Sequence, residues 1–264
     1  MADDEGSPQF AGNPSTDGRP NHSKKPRGFF SPKGQGPQND MGRAGRPEEW
    51  LRTRSMPTRI KICGLTRLQD AQRAVDLGAA ALGFNFYPLS PRYIEPAAAR
   101  AIVRRLPPFV TAMGVFADET DASHVISLAR EAGATAVQMH GPRFPALHEL
   151  LSVFTLVVAV AVRKGFNAEE LGQIEASAYL LDAFDPDRLG GTGRTFDWSA
   201  AREAKQYGPI ILAGGLTPEN VARAVREVRP FAVDVASGVE SAPGIKDPAK
   251  LQAFFAAVAE ADRE

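Results

Sequence analysis

The sequence predicts an α/β protein, a single (β/α)8 TIM barrel over residues 56–264 behind a disordered Gly/Pro-rich extension over residues 1–55. Three observations predict it. From Arg59 onward, short apolar runs alternate with amphipathic, charged stretches, as strands and helices taking turns would. Eight such pairs fit into about 200 residues, the number a closed barrel needs rather than a doubly wound sheet. Residues 1–50 hold seven prolines and no Val, Ile or Leu, so they bury too little apolar surface to offset the entropy of ordering.

In chain order, strand 60–63 precedes helix 68–77, strand 81–86 precedes helix 96–106, and strand 111–116 precedes helix 122–132. Strand 136–139 then leads to helix 146–153, and strand 156–162 to the short segment 168–174, which still has room for a helix. Strand 179–183 is followed by helix 198–206, strand 210–213 by helix 218–228, and strand 232–236 by helix 248–261. The strands are almost continuously apolar, as parallel strands covered on both faces must be.

Lys plus Arg and Asp plus Glu both number 31, so the formal net charge is zero and no global basic field attracts nucleic acid or a membrane surface. A local anion site remains open. The basic stretch Lys24-Lys25-Pro26-Arg27 beside Phe29-Phe30 is a weak partner or RNA contact or, since the run is short, a solvated tail. The single cysteine, Cys63, excludes an internal disulfide, and no Cys/His cluster offers a structural zinc site. No run approaches 18 apolar residues, and Met-Ala-Asp-Asp-Glu does not open a secretory signal. The expectation is a cytoplasmic protein.

Barrel chemistry sits at the C-terminal strand ends. Cys63 ends the first strand, where a thiolate would serve as base or nucleophile; the alternative is a buried small hydrophobe. Asp182 interrupts the sixth strand, either as a general acid or as a carboxylate capping a loop amide, with Asp185 and Asp187 read as solvent-facing. Asp234 shares the face of Ala232 and Ala236, as a polar group in the barrel or one arm of a salt bridge. Gly214 and Gly215 after strand seven, with Ser237 and Gly238 after strand eight, favour phosphate, because glycine lets backbone N–H groups approach an anion. The run 190–198 reads as a mobile loop over the mouth, anchored by Phe196 and Trp198, with Asp197 capping the next helix. Arg92 would hold a carboxylate or sit on the surface, and His140 ends strand four in a structural or catalytic place. His22, His124 and His148 belong to no constellation.

Lys61-Ile62-Cys63-Gly64-Leu65-Thr66, Ser90-Pro91-Arg92-Tyr93, Val137-Gln138-Met139-His140-Gly141, Leu181-Asp182, the run 190–198, Ala213-Gly214-Gly215-Leu216, Ser237-Gly238-Val239-Glu240 and Pro243-Gly244-Ile245-Lys246-Asp247 occur in this order. Over about residues 58–262 the sequence closely resembles the phosphoribosylanthranilate isomerase family of tryptophan biosynthesis. It departs in Met139, where leucine is more usual, and in the extension. The resemblance implies an Amadori rearrangement of N-(5-phosphoribosyl)anthranilate, with Asp182 as general acid, Cys63 as general base, Arg92 on the substrate carboxylate and Gly214, Gly215, Ser237 and Gly238 on the phosphate. His140 and Asp234 are supporting residues. These roles require a raised pKa at Asp182 and a lowered one at Cys63. No cofactor or metal is implied; the partner is a phosphorylated small molecule rather than nucleic acid or membrane, and the protein a monomer or homodimer. The rivals are the related isomerase of histidine biosynthesis, opposed by Cys63 and by the lack of a second glycine pair, and a scaffold acting through its tail.

Overall fold

The computed structural model describes residues 56–163, 165–183 and 198–264. Eight apolar runs form parallel strands: β1 Arg59–Ile62, β2 Ala81–Asn85, β3 Thr111–Ala117, β4 Ala136–His140, β5 Thr155–Val162, β6 Ala178–Ala183, β7 Ile210–Leu212 and β8 Ala232–Val235. They pair in sequence order, and β8 pairs with β1 to close the barrel. At that seam Arg59 stands opposite Ala232 and Lys61 opposite Asp234. Every strand end lies within one residue of the position its sequence predicts.

Strand alternation divides the apolar residues into two sets. One set, including Met113, Ala136, Val157, Ala178, Leu180, Ile211 and Ala232, fills the barrel interior. The larger set, including Ile62, Leu82, Val137, Leu181 and Val233, packs outward against the helices α1 Leu68–Asp76, α2 Pro96–Val103, α3 Ala122–Ala132, α4 Leu147–Leu151, α5 Ser199–Ala204, α6 Val221–Val228 and α7 Pro248–Ala261. Trp198 is buried in this outer core, with Arg223 over its ring at 4.9 Å. α7 starts at Asp247, whose side chain accepts from the Ala249 and Lys250 N–H groups. It ends at Asp262, which accepts from Thr58 N at 2.8 Å and Thr58 Oγ1 at 2.7 Å, tying the last helix to the entrance of β1.

Some helix lengths differ from the periodicity. The α-helical part of 96–106 stops at Val103, and i→i+3 bonds from Arg105 and Leu106 tighten the chain ahead of Pro107 and Pro108. The segment expected at 168–174 is a 3-10 helix, Ala168–Gln173, because so little chain separates β5 from β6. Residues 218–220 form a turn before α6, and α5 passes into a 3-10 turn, Lys205–Tyr207. An antiparallel hairpin that periodicity does not announce, β9 Glu240–Ala242 and β10 Ile245–Lys246, follows β8.

No described helix is long and apolar enough to cross a membrane. The extension 1–55, Asp185, Asp187, Phe196, Asp197 and the expected loop over 190–197 lie outside the described residues.

Phe254 on α7 is fully buried where that helix packs against α1 and α6. Phe254→Ala is expected to lower stability by about 3–5 kcal/mol, read as a lower urea midpoint with an unchanged slope; a shift under about 1 kcal/mol would show that the helix is not clamped there.

Candidate active site

Among the described residues, polar side chains enter the barrel interior towards the C-terminal strand ends, above the apolar layer. They line a cavity of ≈ 570 Å³ that includes Cys63, Arg92, His140, Asp182 and Asp234, a volume in the range of small-molecule sites. The sequence-predicted acid, base and carboxylate holder therefore share one space, with β7 and β8 separating the strands of Asp182 and Cys63.

Lys61 points inward from β1, and a buried ammonium requires a partner. Its Nζ lies 2.9 Å from Asp234 Oδ1, both side chains being nearly inaccessible. Burial alone would lower the Lys61 pKa, but Asp234 and Cys63 outweigh it and hold the ammonium above its ordinary range. Asp234 is thus the salt-bridge arm among its two sequence readings, and it also faces the cavity.

Cys63 follows β1 directly. Its N–H donates to the Val235 carbonyl at 2.9 Å, and its own carbonyl accepts from Lys246 Nζ at 2.6 Å. Gly83 on β2 makes room for the thiol, since a Cβ there would lie 2.8 Å from Sγ and 3.2 Å from Lys61 Nζ. The lowered thiol pKa expected from the resemblance is not what the free protein has. Burial pushes the Cys63 thiol up, Lys61 and Lys246 pull it down, Asp234 adds to the rise, and burial prevails. Asp182 stands near the mouth end of β6, partly exposed, on the cavity wall.

Arg92 lies on the cavity wall rather than on the open surface, but its fork is already engaged. Nε and Nη2 donate to the Glu240 carboxylate at 3.0 and 2.8 Å. Only the other edge of the guanidinium, Nη1 with the second Nη2 hydrogen, is left by Glu240 for a further carboxylate. The Arg92 stem runs across Gly64, where a Cβ would collide with Arg92 Cδ and where φ is +72°. Ser90 Oγ accepts from the Arg92 N–H at 3.1 Å and from Asn85 Nδ2 at 3.1 Å, shaping the loop that carries the arginine.

The four residues expected at the phosphate form two adjoining turns. Gly214 and Gly215 have φ of +81° and +64°. Gly238 lies so close to Leu216 that a Cβ would collide with its carbonyl oxygen. Asn220 pins the first turn, donating to the Gly215 carbonyl and accepting from the Thr217 N–H, each at 2.8 Å. The cavity lining reaches Ala236 beside Ser237 but does not include these four residues. Gln138 Nε2 meets His140 Nε2, while Gln138 Oε1 is buried with no hydrogen-bond partner among the described residues. Burial, with the Lys61 ammonium, holds the His140 imidazole down to about 4. Among the described residues no group of three or more His, Cys, Asp or Glu is placed to hold a metal ion.

Sequence reasoning assigned no role to Lys61, Glu240, Lys246 or Asn220. Lys61 was open to the same logic as Asp182, a charge within an apolar strand and two residues from Cys63 on the same face. Glu240 and Lys246 gave no such signal, because they lie outside any periodic element.

Residues 60–257 match the family model described as N-(5'phosphoribosyl)anthranilate (PRA) isomerase. The N-(5'-phosphoribosyl)anthranilate isomerase of Citrifermentans bemidjiense is 49% identical over 199 residues, spanning 75% of this chain and 96% of that protein. The crystal structure of phosphoribosyl anthranilate isomerase from Thermus thermophilus superposes with a TM-score of 0.71 at 40% identity, covering 77% of this chain and 99% of the other. A phosphoribosyl anthranilate isomerase in complex with reduced 1-(o-carboxyphenylamino)-1-deoxyribulose 5-phosphate does so with a TM-score of 0.68 at 39% identity, covering 77% and 99%.

His140 takes up its proton near pH 4 in the folded chain, whereas an unfolded imidazole does so at about 6.5. Between these values the unfolded chain binds more protons, so His140 makes stability fall as pH falls from about 6.5 to about 4. Unfolding free energies across this window are expected to fall less for His140→Leu than for wild type; equal falls would assign the slope to other groups.

Proposed function

The chain belongs to the N-(5'-phosphoribosyl)anthranilate isomerase family, and we propose that Asp182 and Cys63 carry its reaction as general acid and general base. The enzyme is an isomerase of tryptophan biosynthesis that turns an aminoaldose into the corresponding aminoketose. The observation that carries the assignment is the meeting of Cys63, Asp182 and Arg92 in one cavity.

In this reading Asp182 protonates the ribose ring oxygen and the ring opens to a protonated Schiff base. Cys63 then removes the C2 proton, and the resulting enolamine ketonises by losing its hydroxyl proton and gaining one at C1; the substrate has gained one proton from Asp182 and lost one to Cys63, and exchange with solvent resets both groups. The ligand of the related complex carries an aryl carboxylate and a phosphate at its two ends. The Nη1 edge of Arg92 suits the first, and the turns at Gly214-Gly215 and Ser237-Gly238 suit the second. Zero net charge is compatible with an anionic substrate, because capture rests on local donors rather than on a global field.

The raised Cys63 pKa bears on the timing of the reaction. The free enzyme rests with the thiol protonated, and the cationic Schiff base that forms beside Sγ as the ring opens adds to Lys61 and Lys246 in favouring thiolate, the thiol proton passing to solvent before Cys63 takes the one at C2. Asp234 is the counter-ion that keeps Lys61 in place, and His140 is a neutral hydrogen-bonding group.

The test follows loss of the substrate's anthranilate fluorescence on adding purified protein. Wild type is expected to consume it, while Cys63→Ala and Asp182→Asn lose at least about a hundredfold in turnover with an unchanged melting transition. Full activity in either variant removes that residue from the mechanism.

The pH profile gives a second check. Because Cys63 is the single cysteine and its thiolate is the nucleophile, its rate of alkylation is expected to climb with pH from neutrality to above about 8.5, the ordinary thiol value. An alkylation rate already level at pH 7 would mean that the thiol ionises earlier than its buried position allows.

A further inference from the structure

Glu240 and Lys246 lie on the β9–β10 hairpin, outside the eight barrel strands and outside the groups assigned to the reaction. Both are charged and almost wholly buried, a state that persists only with close partners. Glu240 Oε1 accepts from Lys246 Nζ at 2.7 Å and from the Gly244 N–H at 3.2 Å. Lys246 Nζ also donates to the carbonyls of Cys63 at 2.6 Å and Ala236 at 3.2 Å, so its three hydrogens all have acceptors. Arg92 spans both oxygens of the same carboxylate, Nε donating to Oε1 at 3.0 Å and Nη2 to Oε2 at 2.8 Å.

We propose that Glu240 is a positioning residue for the reaction, turning Arg92 so that its Nη1 edge meets the substrate carboxylate, while Lys246 locks Glu240 to the backbone of Cys63. The inference rests on Arg92 binding that carboxylate. A guanidinium is planar, so a carboxylate on one edge fixes the plane of the whole fork and the direction of the other edge. The Arg92 stem is held by contact with Gly64 and its backbone by Ser90, which leaves the head as the part Glu240 must orient. Glu240 does not cancel the site's attraction for anions, because Arg92, Glu240 and Lys246 together carry one net positive charge. Despite burial, the bonds from Arg92 and Lys246 hold Glu240 below its ordinary carboxylate range, so it stays ionised. The same lysine touches the backbone of the proposed base, so carboxylate holder and base keep a constant separation.

The test measures kcat and KM for wild type, Glu240→Gln, Arg92→Ala and the double variant, with a melting curve for each. Glu240→Gln is expected to raise KM about tenfold with kcat changed less than about threefold. In the Arg92→Ala background the same change is expected to add nothing to KM, since the residue it acts through is gone. An equal KM rise in both backgrounds, or none in a folded Glu240→Gln enzyme, overturns the proposal. If Arg92→Ala itself leaves KM unchanged, the carboxylate reading fails and the proposal with it. Where Glu240→Gln does not fold, Glu240→Asp keeps the buried charge, retracts it by one methylene and is expected to raise KM in the same background-dependent way.

Discussion

Two lysine ammonium groups lie buried at the mouth of the barrel, and the arrangement around them follows from keeping charge there. Taking an ammonium out of water costs several kcal/mol unless carboxylates and carbonyls replace the lost hydration. Lys61 obtains this from Asp234, its register partner across the β1–β8 seam, so closing the barrel and satisfying the charge are the same event. Lys246 obtains it from Glu240 and two strand-end carbonyls, which brings the hairpin after β8 down onto the end of β1. Such pairs contribute little net stability compared with apolar packing of equal volume, and removing one partner alone is what destabilises. Their effect is to set where the neighbouring groups stand.

Cys63 sits between these two cations. Its thiol is subject to opposing influences: burial and Asp234 raise its pKa, while Lys61 and Lys246 lower it. A thiol in this setting is held in its protonated form in the free protein and is sensitive to any further positive charge brought near it. Arg92 shows a parallel economy of donors. One edge of its fork is committed to Glu240, so geometry, more than the amount of charge, sets the direction of the other edge.

The interior follows one rule from bottom to top. Residues two apart on a strand share a face, so the inward positions that begin as Met113, Ala136, Ala178 and Ala232 continue as Val115, Gln138, Leu180 and Asp234, and then reach Ala117, His140, Asp182 and Ala236 at the mouth. The apolar layer closes the floor, and the last inward residue or two of β2, β3, β4, β6 and β8 meets the cavity, joined by Cys63 after β1. That is why a few polar interruptions in otherwise apolar runs suffice to mark a site.

The sequence by itself determined the eight strand–helix pairs, the strand-end positions of Cys63, Asp182 and His140, and the face Asp234 shares with Ala232 and Ala236, because these depend on local periodicity within single elements. It also marked Gly214, Gly215 and Gly238, whose turns need the freedom or the closeness only glycine allows. Tertiary structure alone decided who partners whom. That Lys61 meets Asp234, that Glu240 takes one edge of Arg92 and that Lys246 reaches the carbonyl of Cys63 depends on residues 148 to 183 positions apart in the chain. No local pattern encodes such pairings, since they exist only once the barrel closes and water leaves. The direction of the Cys63 shift belongs with them, because desolvation is a property of the packed interior and not of the residue.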